Sequence, residues 1–244
     1  MNSKENANGT FRIAKIFLIF AVSLLVLAVV LILAIQLREE QRAAALLNEI
    51  RLLRVGESSA NDIDHLVAEY KGGIAEVSGL ACDPHGPSFI VGIANDTLND
   101  ILRRFSALRG IPHRSTVRAI FILKNGKLCY VQYSVETMPY RALPVRRIAD
   151  VTLASETQLP PFHVGFTGGN VRTFEAALTS GATPEQHQHA FDFDLSCLAR
   201  FSGCREACEL MPSAWLEYQK KARREGLTPP SDELNDPHCR ILSD

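Results

Sequence analysis

The longest apolar run in the chain is IFLIFAVSLLVLAVVLILAIQL at positions 16–37, which contains no charged residue, proline or glycine. As an α-helix this run is roughly 33 Å long, enough to cross a hydrocarbon core of about 30 Å. A cleaved signal peptide has a shorter apolar region followed by small residues at the cleavage site. Because QLRE at 36–39 offers no such site, the pattern predicts a transmembrane signal-anchor helix at 16–37 behind a short tail at 1–15.

The helical pattern continues beyond the anchor. The stretch REEQRAAALLNEIRLLR at 38–54 has no helix breaker, and its apolar residues recur at helical spacing on one side. This juxtamembrane stripe consists of Ala43, Leu46, Leu47, Ile50 and Leu53. It predicts a helical continuation over 38–55 that packs on the domain that follows. The alternative is that the stripe pairs with a second copy of the chain.

Three further helices are indicated by their end signals. Ser59 and Asp62 match a capping box, and Gly72-Gly73 is a stop signal, so a helix is predicted at 60–71. A helix at 96–110 would end at Gly110. Another begins near Ser213 and ends before Gly226, and its last turns carry a basic run that complements the helix dipole. The run consists of Lys220, Lys221, Arg223 and Arg224.

A β-hairpin is the clearest strand signal. TVRAIFILK and KLCYVQYSVE flank Asn125-Gly126, a dipeptide typical of a type I′ turn. Counting back from the turn pairs Ile122 with Cys129 and Ile120 with Val131. We expect this face to be the core face, which would bury Cys129.

The remaining strands complete an α+β pattern. SFIVGIAN at 88–95, RIADVTLAS, FHVGFT and VRTFEAALT are β-rich. HQHAFDFDL alternates at period two and predicts a last strand at 187–195, although Thr183-Pro184-Glu185 could instead open a short helix. Strands joined by hairpins, with segregated helices, predict one mostly antiparallel sheet domain with packed helices at 56–244.

The charge balance excludes one class of partner. Lys and Arg number 26 and Asp and Glu 27, for a net charge of −1. No basic stripe of the kind that neutralises phosphates is present, so nucleic-acid binding is not expected.

The cysteines indicate the compartment. All six follow the anchor: Cys82, Cys129, Cys197, Cys204, Cys208 and Cys239. An even number of cysteines suits disulfides and an oxidising environment. Positive charges on the two sides of the anchor are nearly equal, but a long domain can translocate regardless of charge. We therefore expect a single-pass cell-membrane protein with a cytoplasmic N-terminus and a periplasmic, extracellular or lumenal domain.

The connectivity of the cysteines stays open at this stage. On one continuous helix Cys197 and Cys204 would lie about 10 Å apart, too far for a disulfide, unless Ser202-Gly203 breaks the helix. We expect some of the three clustered cysteines to reach distant partners, with Cys239 joined to Cys204 or Cys208. The alternatives are free buried cysteines, or a metal or redox site, although the C-x-x-C motif is absent.

One metal site is a candidate. On a strand, His187 and His189 would point the same way and could bind one ion, with His163 as a third ligand. The alternative is that they are ordinary surface histidines.

The sequence assigns no catalytic residue and no cofactor, because no nucleophile-elbow, zincin, dinucleotide-binding or P-loop motif occurs. The expected function is a non-enzymatic binding or envelope-assembly domain anchored in the lipid bilayer. Its partner would be another protein, or a second copy held through the juxtamembrane helix. The alternative is a membrane-tethered metal-dependent enzyme that uses His187 and His189.

Overall fold

The computed structural model describes residues 3–75, 82, 87–93, 114–138, 146–155, 160–167, 173–200, 204, 206–227 and 239. The helix predicted at 96–110 lies outside these residues. The described elements are α1 (Ser3–Leu52), α2 (Ala60–Glu69), β1 (Gly73–Ala75), β2 (Ser88–Ile93), β3 (Arg114–Lys124), β4 (Lys127–Met138), β5 (Arg146–Ala154), β6 (Phe162–Thr167), β7 (Thr173–Thr179), α3 (Pro184–Ala190), a 3₁₀ helix (Leu195–Ala199), α4 (Ala207–Leu210) and α5 (Pro212–Glu225).

Seven strands form one mixed sheet in the order β1-β2-β3-β4-β5-β7-β6. All neighbouring pairs are antiparallel except β5 and β7, which are parallel. The parallel pair arises because β6 lies outside β7 as an edge strand, which leaves β7 beside β5. The α+β class and the mostly antiparallel sheet are therefore confirmed.

Helix α1 has two different surfaces along its length. Its apolar segment at 16–37 is mostly exposed, with Leu18 and Leu25 both about two-thirds exposed, and the helix is long and apolar enough to cross a membrane by length and composition. The stripe over 43–53 is instead no more than 7% exposed and belongs to the main core. The buried Tyr133 hydroxyl also donates to the Ala43 carbonyl oxygen at 3.3 Å. The predicted packing of this stripe on the rest of its own chain is confirmed.

The main core lies between the sheet and the helices. Every described helix contributes to it, and the largest side chains from the sheet are Phe121, Tyr133 and Phe174. Phe174 and Trp215 of α5 meet edge to face with ring centroids 5.4 Å apart. Because side chains alternate along a strand, a second, smaller apolar cluster lies on the opposite face. It consists of Cys82, Ile120, Ile122, Cys129, Tyr130 and Ala154.

The predicted hairpin has the expected turn but a different register. Asn125 and Gly126 both have positive φ, at 55° and 74°, as a type I′ turn requires. A bulge between Ile122 and Leu123 then shifts the pairing, so that Ile122 lies opposite Tyr130 rather than Cys129. The predicted pairs are therefore wrong. Ile120, Ile122 and Cys129 are buried together in the smaller apolar cluster, whereas the main core takes the Phe121 face. Burial of Cys129 is confirmed at 5% exposure.

Both ends of α2 are set by local hydrogen bonds. The Ser59 backbone N–H donates to Asp62 Oδ2 at 2.7 Å, as predicted, and this bond lowers the pKa of Asp62. At the other end, Gly72 N donates to Val67 O and Lys71 N to Ala68 O, which is a Schellman ending. Its left-handed position is occupied by Lys71, with φ of 55°, and not by glycine.

All six cysteines are paired. The disulfides join Cys82 to Cys129, Cys197 to Cys204 and Cys208 to Cys239, with Cα–Cα distances of 6.1, 4.8 and 5.5 Å. The expected link from Cys239 to Cys204 or Cys208 is confirmed, with Cys208 as the partner. Cys197 and Cys204 can join because the 3₁₀ helix ends at Ala199, so the helical objection does not apply. Three disulfides fit an oxidising compartment.

Candidate functional site

A groove lies where the end of α1 meets α3. It consists of two adjoining cavities of about 450 and 290 Å³, and Arg54, Ala182 and His187 line both of them. Arg51, Gln188 and Asp192 complete the polar wall of the larger cavity. We call this concavity the Arg54–His187 groove. It is the part of the described chain where the candidate ligand His187 and two arginines come together.

The sequence places α3 by a strong N-terminal cap. Thr183 Oγ1 accepts from the Gln186 backbone N–H at 3.2 Å, and the Gln186 side chain accepts from the Thr183 N–H at 2.9 Å. Pro184 occupies the first turn, where its missing N–H costs no hydrogen bond. The helix therefore starts at a fixed residue, and His187 follows in its first turns.

Residue His187 is held by stacking and partial burial. Its imidazole stacks on the buried Phe191 ring, with centroids 5.4 Å apart and planes inclined by 12°. Burial lowers the pKa of His187, and the nearby Arg54 guanidinium lowers it further. A lowered pKa favours the neutral imidazole near pH 7, which carries one N–H donor and one acceptor nitrogen.

The two arginines have different positions. The Arg51 guanidinium donates to the Phe191 carbonyl oxygen and to Asn48 Oδ1, so it ties α1 to the end of α3. Arg54 lies just after α1, where its backbone N–H donates to Ser58 Oγ at 2.9 Å. Within the described residues, no hydrogen bond or ion pair engages the exposed Arg54 guanidinium. That leaves its donors available to a bound group.

The strand predicted at 187–195 is wrong, since residues 184–190 form α3 and the alternative of a short helix is correct. Tertiary packing and the Thr183 cap override the period-two pattern. Positions i and i+2 of a helix do not face each other, so the argument that His187 and His189 share one ion loses its premise. His189 Nδ1 lies 3.8 Å from Glu217 Oε1 on α5, away from the groove.

The proposed third metal ligand, His163, lies beside a lysine. His163 lies on β6 as predicted, and its Nδ1 is 3.5 Å from the Lys221 ammonium group. Burial lowers the pKa of His163, and Lys221 lowers it further. Use of His187 and His189 by a metal stays a prediction that rests on the sequence alone.

Sequence reasoning missed a different group of possible metal ligands. Ligand atoms of Glu49, His65 and Glu69 all lie within 4.8 Å of one another, at the contact between α1 and α2. Glu49 also accepts a hydrogen bond from the Tyr70 hydroxyl at 2.8 Å. The spacing of His65 and Glu69 on one helix face was visible in the sequence, but the approach of Glu49 depends on tertiary packing. His65 and Glu69 are exposed, and an exposed cluster of this kind is common without an ion.

A polar row on the other face of the sheet was also missed. Arg118 of β3 pairs with Ser134 of β4, and Ser134 pairs with Asp150 of β5. Asp150 in turn pairs with Glu175 of β7. Ser134 and Asp150 are buried, and Asp150 Oδ2 accepts from the Gln132 amide at 2.9 Å. This row lies opposite the main core, and the bond from Gln132 satisfies one oxygen of the buried Asp150 carboxylate.

Comparison with known protein families, with curated proteins and with solved structures finds no match for this chain.

Proposed function

We propose that this chain is a single-pass membrane protein. Residues 16–37 span the bilayer, the N-terminus is cytoplasmic, and the residues beyond them form a disulfide-stabilised α+β domain outside the cytoplasm. The domain binds a partner protein or takes part in envelope assembly, and it does not catalyse a reaction.

The observation that carries this proposal is the division of α1 into two surfaces. Apolar residues such as Leu18 and Leu25 are exposed in the apolar segment. Exposure of these side chains to water is unfavourable, whereas exposure to lipid is not. The stripe around Leu46 and Ile50 is buried in the core of the sheet and helices. One helix thus has a surface for lipid and a surface for the domain.

The disulfides support the proposed location of the domain outside the cytoplasm. All three pairs lie beyond the apolar segment, and disulfides persist in the periplasm, the extracellular space and the lumen rather than in the cytosol. A non-reducing peptide map of protein alkylated directly in cells should recover these three pairs. Recovery of six alkylated thiols would contradict the proposed topology, as would activity of a cytosolic reporter fused after Asp244.

Binding is tested separately by photo-crosslinking in cells. A photoreactive residue at Gln188, in the Arg54–His187 groove, should give a discrete crosslinked partner. The matched control position is Leu216, which is exposed on α5. Equal crosslinking from both positions, or none from Gln188, would contradict a partner at this groove.

The enzymatic alternative makes its own prediction. A metal-dependent enzyme that uses His187 and His189 should purify with stoichiometric zinc, and His187→Ala should lose it. Full-chain protein in non-ionic detergent, with its disulfides intact, is the sample for metal analysis. Stoichiometric zinc that depends on His187 would replace the binding proposal.

A further inference from the structure

The Arg54–His187 groove has a cationic wall. Arg51 and Arg54 both line its larger cavity, together with His187 of α3. Two carboxylates are near. Asp192 Oδ2 accepts a hydrogen bond from the Ser213 hydroxyl at 2.6 Å, and Glu57 lines the smaller cavity. Within the described chain, no hydrogen bond engages the side chains of Arg54, His187 and Gln188, so their polar groups are available to a ligand in the larger cavity.

The lining of the smaller cavity is partly apolar and partly polar. Leu53, Leu153 and Leu178 line it and are themselves buried, and Val55 lies beside them. Its volume of about 290 Å³ can admit one apolar side chain. Because Arg54 and His187 line both cavities, an apolar group and an anion could be held side by side at this point.

The height of the groove argues against a lipid as the occupant. Arg51 follows the end of the apolar run, Leu37, by 14 helical residues, which is roughly 21 Å along the axis. The headgroup region adds only about 5–8 Å beyond the hydrocarbon core. A lipid headgroup therefore lies well below the groove, whereas a segment of a partner protein can reach it.

We infer that the groove binds a peptide segment of a partner protein through a carboxylate next to an apolar side chain. The carboxylate accepts hydrogen bonds from the Arg54 guanidinium and from the His187 N–H, and the apolar side chain occupies the smaller cavity. Arg51 positions α3 through its bond to the Phe191 carbonyl. This inference rests on the proposed function as a binding domain.

The probe is N-acetyl-leucine, which has a carboxylate beside one apolar side chain. Full-chain protein in non-ionic detergent is titrated with it while the His187 ring signals are followed by NMR. We expect saturable binding with a dissociation constant of about 1–10 mM, as suits so small a ligand. Binding should also raise the pKa of His187, because an anion favours the charged imidazole.

Three alternative ligands and two substitutions define the site. N-acetyl-leucinamide lacks the charge and N-acetyl-glycine lacks the side chain, and each should bind at least about tenfold more weakly. Inorganic phosphate tests for an anion site without the apolar part and should also bind more weakly.

Arg54→Gln should weaken N-acetyl-leucine binding about 10- to 100-fold, since a hydrogen bond to a charged group is lost. Arg224→Gln, an exposed arginine at the end of α5, is the matched control and should have no effect.

Several results would overturn the inference. These are no saturation up to about 50 mM N-acetyl-leucine, equal binding of the amide or of phosphate, or unchanged binding by Arg54→Gln. None of these measurements depends on membrane topology, which the alkylation map and the Asp244 reporter test. Failure of the groove and failure of the proposed function are therefore distinguishable.

Discussion

At Gly72 the backbone that follows α2 lies directly against β2. A Cβ atom added to this residue would be 2.6 Å from the Ile90 carbonyl oxygen and 2.8 Å from Val91 Cγ2. The next residue, Gly73, has open space around the same position. The sequence predicted both glycines as one stop signal, yet the left-handed residue of that ending is Lys71. Gly72 is needed for close approach, which no local pattern reveals.

The two glycines should therefore respond differently to the same substitution. Gly72→Ala forces the turn away from the Ile90 carbonyl, and we expect it to lower the free energy of unfolding by about 1–3 kcal/mol. Gly73→Ala should change it by less than about 0.5 kcal/mol. Thermal unfolding of the two full-chain variants in non-ionic detergent measures both, and equal effects would be inconsistent with the tight contact.

The depressed pKa of His187 makes stability depend on pH. Burial and the Arg54 guanidinium hold the pKa of His187 in the folded chain below its value of about 6.5 in the unfolded chain. At a pH between these two pKa values, the unfolded chain therefore binds more protons than the folded chain. Stability is then full above about pH 6.5 and falls as the pH drops toward the folded pKa.

Substitution of His187 by glutamine should reduce this loss between about pH 7.5 and 5.5, measured as the midpoint of thermal unfolding. His163, whose pKa is also lowered, keeps part of the slope. If the unfolding midpoint of His187→Gln depended on pH as steeply as that of the unaltered chain, the predicted contribution of His187 would be contradicted.

At the scale of elements, signals that act within one segment were predictable from the sequence. The breaker-free course of α1 beyond Ile16, the capping box of α2 and the Asn125-Gly126 turn all depend on residues close in sequence, and all are present. Features that depend on contacts between residues distant in sequence were not predictable. The bulge at Ile122 shifts the hairpin by one residue, and α3 forms where the alternation predicted a strand. The groove depends on both kinds of feature. Arg51 and Arg54 lie at and just after the end of α1, His187 lies in α3, and the packing of distant segments brings them together.

The stripe on α1 is expected to stabilise the fold rather than to serve as a free surface. Leu46 is fully buried, so Leu46→Ala should lower the free energy of unfolding by about 2–5 kcal/mol. Leu52 is 79% exposed on the same helix, and Leu52→Ala should cost less than about 0.5 kcal/mol.

Self-association through the juxtamembrane helix stays a prediction, tested by comparing chains that begin at Arg38 and at Gly56. Loss of dimer only in the shorter chain would support self-association, provided that the shorter chain is folded. Removal of residues 38–55 deletes the buried stripe, so we expect the shorter chain to unfold at a lower temperature.

At the scale of the whole molecule, the disulfides connect parts that are distant in sequence. Cys82–Cys129 spans 47 residues and Cys208–Cys239 spans 31, whereas Cys197–Cys204 spans only 7. An even number of cysteines predicted a framework, but fifteen pairings were open, and only the folded chain selects one. A link from Cys239 to Cys204 or Cys208 was predicted from the sequence, and the folded chain selects Cys208.

These spans predict an order of stabilisation. In the loop-entropy description, closing the Cys82–Cys129 loop contributes about 4 kcal/mol and closing the Cys197–Cys204 loop about 2 kcal/mol. Paired Cys→Ser variants should lose stability in that order, with Cys208–Cys239 between them, as measured by urea unfolding of the full chain. A greater loss from the seven-residue loop would indicate that it does more than restrict the unfolded chain.

The uninterrupted course of α1 also bears on orientation. Because its last turns lie inside the core, no hinge separates the part proposed to lie in lipid from the sheet. Thinner bilayers tilt a long apolar helix to match its length, and the sheet must then rotate as a rigid body with it. Membrane thickness would thereby set the direction in which the groove points.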